Sequence, residues 1–151
     1  MTTRLVRYSV GNENNPGNPW GRSELVIEPD GAVRLEHFFS RVRRVGRWSG
    51  RVDANALDAF WGALDQAGFP AAPNTSFAPG SSLRQLTVES GGTSAQVIVD
   101  WHGSAKLPGY AEAFDLLDGV VRQLSGDSVP YPTKQGPIVH DIVEAADTAD
   151  A

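Results

Sequence analysis

The 151-residue chain has no cysteine, two lysines and one methionine. The first absence excludes disulfides, thiolate metal sites and cysteine nucleophiles. Nowhere does it hold the ~20 consecutive apolar residues of a membrane-spanning helix, and MTTRLVRYSV carries Arg4 and Arg7 in too short an apolar run for a signal peptide. A cytoplasmic protein without membrane attachment is expected. Catalytic signatures are missing as well: there is no HExxH, GxSxG, GxGxxG or GxxxxGK. The sequence thus names no reaction, and neither a metal nor a cofactor is expected.

What is present is enough for one core. A chain of this length buries roughly two-thirds of its unfolded surface. The net charge of -5 is uneven: residues 1–124 hold 12 basic and 13 acidic side chains, whereas 125–151 hold one lysine and five acids. The negative charge therefore belongs to the tail. The eleven arginines are set against near neutrality over the body, which weighs against a nucleic-acid-binding domain.

Alternation and turn chemistry lay out the elements. Leu5 to Val10, Ser23 to Glu28, Ala32 to Phe39 and Val45 to Val52 read as four strands, with Pro29-Asp30-Gly31 turning a hairpin. Asp53 is placed to cap a helix in which Leu57, Phe60, Trp61 and Leu64 recur at helical spacing, ending near Gly68. Leu86 and Val88 then alternate with Thr87 and Glu89, Gly91-Gly92 turns the chain, and Val97-Ile98-Val99 returns as a covered strand capped by Trp101. Tyr110, Phe114, Leu117, Val121 and Leu124 mark a second helix, ending at Ser125-Gly126. The order ββββαββα predicts an α+β domain over residues 1–126, with an antiparallel sheet of about six strands packed on two helices. A closed or half-closed sheet is the alternative. Residues 127–151 read as a mobile acidic tail that buries little, with a short helix possible from Ile138 to Ala146.

The segments EPDGAVRLE, GRWSGRVD, LDQAGFP and LTVESGGTSAQVIVD, in this order between residues 4 and 124, resemble a bacterial domain family of unknown function often found in lipoproteins. More distantly the pattern is similar to the emfourin group, small protein inhibitors of protealysin-type metalloproteases. That resemblance implies a compact α+β fold, no assigned catalytic residues and function through protein binding. It carries over no site residues. The chain departs from these groups in lacking a lipoprotein cysteine and in its longer first loop, Gly11 to Gly21.

Three sets of residues are candidates for function. Loops 11–21 and 69–82, rich in Gly, Asn or Pro, carry Trp20 and Phe77 among small residues, suited to anchor a protein partner. Arg41, Arg43, Arg44 and Arg47, with Trp48 beside them, could grip phosphates or an acidic ligand. The acidic tail could fold back on these arginines. Asp100 and His102 are spaced to share one face of a strand end as an acid-base or metal pair, whereas His37 and His140 lie in a strand and in the tail. The leading expectation is a non-enzymatic protein-binding domain of the inhibitor or immunity type. An anion- or nucleic-acid-binding module is the alternative. The oligomeric state is left open.

Overall fold

The hairpins form first in the logic of the chain, because their turns are the most strongly specified. In the computed structural model, which describes residues 4–11, 21–39, 44–71, 83–101, 107–145 and 148–149, Gly91 and Gly92 both take positive φ, 55° and 85°. That pair of values makes a two-residue type I′ turn, whose twist matches that of the strands it joins. On either side β5 (Leu83–Ser90) and β6 (Thr93–Asp100) pair without interruption from Ser90↔Thr93 to Leu83↔Asp100. β1 (Leu5–Gly11), β2 (Arg22–Ile27), β3 (Ala32–Phe39) and β4 (Arg44–Val52) form the expected meander. All pairings are antiparallel, and β1 joins the two groups by pairing with both β2 and β5.

The helices follow the apolar spacing. α1 (Ala54–Ala67) buries Ala56, Phe60 and Leu64, and α2 (Tyr110–Leu124) buries Tyr110, Phe114, Leu117, Val121 and Leu124. Their ends meet at Gly109. A Cβ there would stand 2.7 Å from the Ala63 carbonyl oxygen and 2.5 Å from the Ala67 nitrogen, so only glycine admits this approach. None of the described helices is long and apolar enough to cross a membrane.

The α+β class and the antiparallel sheet on two helices are as the sequence predicts, but the sheet is wider. Its order is β6-β5-β1-β2-β3-β4-β7, with the short β8 (Thr148–Ala149) also on β4. The added strands come from the segment expected to be a tail. β7 (Val139–Glu144) stands where a short helix was expected, because the open edge of β4 offers it a ladder and Val139, Ile142 and Val143 suit a strand. Upstream of β7, Val129 and Tyr131 are each 1% exposed and belong to the core, so a boundary at residue 126 does not divide the packing. The tail does reach the arginine-bearing strand, by backbone pairing along β4.

Two further expectations need correction. Asp53 precedes α1, but its side chain makes no cap bond; its Oδ1 lies instead 2.8 Å from Nδ1 of His140 on β7. Val97 and Val99 are buried, but Ile98 is 38% exposed, because β6 is an edge strand covered on one face only.

The sheet has one covered and one open face. Val6, Tyr8, Leu25, Ile27, Val33, Leu35, Leu86 and Val88 point into the core. The other face carries charge pairs at its surface: Arg7–Glu89 at 3.2 Å, Arg22–Glu24 at 2.7 Å and Arg47–Glu36 at 2.9 Å. Exposed pairs of this kind each contribute at most about 1 kcal/mol.

Candidate functional site

One end of the sheet gathers the long connections. Pairing runs through Asp100↔Leu83, Leu83↔Gly11, Gly11↔Arg22, Arg22↔Phe38 and Phe38↔Val45, so these six residues form a single row across the sheet. At or beside this row the chain leaves the strands for residues 12–20, 40–43 and 102–106 and returns from 72–82. The opposite end holds the tight turns at Pro29–Gly31 and Gly91–Gly92. All three sets of candidate residues therefore stem from the same end. Trp20, Phe77, Arg41, Arg43 and His102 lie outside the described residues.

Beneath this end lies a buried polar layer. One position inward, the next row runs Val99, Arg84, Val10, Ser23, His37 and Gly46, with Arg84, Ser23 and His37 facing the core. Arg84 Nη1 donates to both carboxylate oxygens of Asp118 on α2, at 3.0 and 2.9 Å, and to the Tyr8 hydroxyl. Tyr8 in turn donates to Asp118 Oδ1 at 2.8 Å. The Arg84 guanidinium carbon lies 3.8 Å from the Trp101 ring centre and 5.2 Å from that of Phe114, so two rings flank a charge that bonds three oxygens. A second group adjoins it: Ser23 Oγ lies 2.7 Å from His37 Nδ1 and 2.9 Å from the Tyr131 hydroxyl.

Burial dominates the titration of these groups. It pushes Asp118 up from the usual carboxylate value to about 6, with the charge of Arg84 and the hydrogen bonds from Tyr8 and Arg84 pulling the other way. Burial likewise raises the Tyr8 and Tyr131 phenols above their ordinary value. A carboxyl at about 6 in contact with a cleft is a common mark of an acid-base site. Here, however, each oxygen of Asp118 is held by protein donors.

Arg84, Trp101, Phe114, Asp115, Asp118 and Gln135 line an open cleft of about 570 Å3, within the range of small-molecule sites. Its acids are occupied in holding the chain together. Glu112 accepts from the Gly109 amide at 2.7 Å, and Asp115 accepts from the Lys134 amide at 3.0 Å and the Gln135 side chain at 2.9 Å. The last two bonds fasten the segment after α2 to that helix. Among the described residues no group of three or more His, Cys, Asp and Glu could hold a metal ion.

The arginine-bearing strand is similarly engaged. Arg47 Nε donates to Glu36 at 2.9 Å, and the Arg44 guanidinium lies 4.7 Å from the centre of the Phe39 ring. Asp100, half-buried, closes β6 in the end row. In comparison with known proteins, the chain matches no family model and no curated protein.

Sequence reasoning passed over Arg84, Asp118, Ser23 and Tyr131 and placed His37 in a strand without a role, although most of them leave a signal. Arg84 shares strand parity with Leu86 and Val88, Ser23 with Leu25 and Ile27, His37 with Val33 and Leu35. Asp118 stands four residues after Phe114, inside the apolar stripe of its helix. A polar residue at an inward position signals a buried partner.

Proposed function

We propose that the chain is a non-enzymatic protein-recognition domain, of the inhibitor or immunity type, that meets its partner with the loop end of the sheet. Loops 11–21 and 69–82 carry the contact, with Trp20 and Phe77 as its anchors. The observation that supports this most is the shared end row: long connections rich in Gly, Asn and Pro converge on one end of a stiff sheet, while tight turns close the other. Support also comes from the polar layer beneath, where ionic groups satisfy one another and brace the platform. The resemblance of residues 4–124 to the emfourin group points the same way. A cytoplasmic location belongs to this proposal, in keeping with a chain free of cysteine.

An anion-binding module built on Arg41, Arg43, Arg44 and Arg47 has less support, since Arg47 already bonds Glu36 and Arg44 stacks on Phe39. The two readings separate by affinity capture from the source organism followed by binding measurements. Protein recognition requires one defined partner whose affinity falls by ~2 kcal/mol or more, about 30-fold, on Trp20→Ala or Phe77→Ala. Anion binding requires a steep loss with salt and on replacing the arginines.

A further inference from the structure

The two edges of the sheet are built in opposite ways. At one edge, β7 carries His140, Asp141 and Glu144, Asp141 takes a φ of 56°, and the register against β4 shifts between Ser49 and Arg51. Charge, local twist and irregular pairing are the devices by which proteins keep an edge from adding strands. At the other edge, β6 has none of them before its last residue, Asp100. From Thr93 to Val99 it reads TSAQVIV, without charge or proline, and its eight pairs with β5 run without a bulge. Among the described residues it has a partner strand on one side only.

Which backbone groups face outward follows from the hairpin. In a two-residue turn the closing pair, here Ser90 and Thr93, exchanges both hydrogen bonds, and the pairs then alternate. Thr93, Ala95, Val97 and Val99 thus spend their amides and carbonyls on β5. Ser94, Gln96 and Ile98 direct theirs away from the sheet. The same three residues are exposed, and Ile98 is an apolar side chain at the surface beside its outward backbone groups.

We propose that this edge joins two copies of the chain, β6 against β6 about a two-fold axis, to make one continuous antiparallel sheet. Keeping core-facing residues opposite core-facing residues fixes the parity of the register. Among the permitted registers, the one with Val97 on the axis pairs the whole span from Ser94 to Asp100. It sets Val97 against Val97, Ala95 against Val99, and Gln96 against Ile98 in hydrogen-bonded pairs. The ionisable residue of the span, Asp100, meets Ser94 rather than another acid. A span whose single charge, Asp100, meets Ser94 opposes no like charges to its own copy and is self-complementary, as a two-fold interface requires.

The interface meets the loop end proposed for partner recognition only at Asp100 and uses neither Trp20 nor Phe77, so either can fail alone. The test is sedimentation of the full chain over a wide concentration range, with amide exchange read residue by residue. The expected result is a monomer-dimer equilibrium in which the Ser94, Gln96 and Ile98 amides gain protection as dimer forms. Ile98→Pro deletes one outward donor while leaving the β5 ladder intact, and should weaken the dimer about tenfold or more at unchanged circular dichroism. Ile98→Thr, which keeps that donor and a β-branched side chain, should still dimerise. A parent chain that is monomeric at every concentration overturns the proposal. So does a dimer that Ile98→Pro leaves untouched, or β6 amides that become protected only when a different protein binds.

Discussion

Removing the Asp118 carboxylate leaves the Arg84 guanidinium in the core without the acceptors that offset its charge. The pair touches the cleft with little of its surface, its side chains 8% and 3% exposed, so little water can take the place of the lost oxygens. Breaking one side of such a pair costs about 3–5 kcal/mol, a large part of the 5–15 kcal/mol that holds a typical domain folded. With a urea dependence of about 2 kcal/mol per molar, Asp118→Ala should lower the unfolding midpoint by roughly 2 M at an unchanged slope. The double change Arg84→Met with Asp118→Leu removes both charges and keeps the volume filled, and it should recover most of that loss. Urea titration followed by circular dichroism and tryptophan fluorescence reads all three proteins. A single variant within about 1 kcal/mol of the parent would match an exposed pair and refute the buried one. A double variant no more stable than the single one would refute the charge argument and leave a packing defect in its place.

Other expectations follow from the same contacts. Tyr8→Phe removes a hydroxyl that donates to Asp118 and accepts from Arg84, and should cost about 1–3 kcal/mol; no change in the urea midpoint would contradict this role. Asp118 holds its proton up to about pH 6 in the fold but only to the ordinary carboxylate value of about 3.8 when unfolded, so the folded state binds the extra proton between those values. Its contribution to stability is therefore full below about pH 4 and is lost as pH rises through 6, to a total of at most ~3 kcal/mol. Asp118→Asn should remove that component, and parallel stability profiles for parent and variant between pH 4 and 7 would contradict it. Deleting residues 127–151 takes Val129 and Tyr131 from the core and β7 from the sheet, and should lower stability by 3–5 kcal/mol or more, in the range of a lost large core side chain. Deleting only 146–151 should cost far less, and equal thermal midpoints for the two truncations would show that the segment is a tail after all.

The fold was legible where local chemistry and periodicity agree. Gly91-Gly92 can hardly be anything but a hairpin turn, and the apolar stripes of α1 and α2 admit one orientation each. β7 was not legible, because VHDIVE has no alternation of its own: nearly all of it is exposed, and it is a strand through the ladder that β4 offers. Asp53 shows the same limit, since a tertiary partner, His140, takes the oxygen that a local rule assigns to the helix cap. The buried polar layer was half legible. Arg84, Ser23 and His37 share parity with apolar neighbours, a signal that the sequence reading left unused, but that Asp118 and Tyr131 descend on them from two separate segments depends on how α2 and its sequel cross the sheet. The convergence of the long loops at one end also needed the strand order, since β1 sits between β2 and β5 and brings residues 12–20 and 72–82 to adjacent strands.

Whether the loop end of the sheet recognises a protein is tested most directly by capturing partners with the full chain and with Trp20→Ala and Phe77→Ala in parallel. One defined protein should be retained by the parent and lost or much reduced with either variant, while the urea midpoints of all three stay equal. A partner bound equally by all three chains, or retention that vanishes with salt and with Arg47→Ala but not with the loop variants, would contradict recognition through this end.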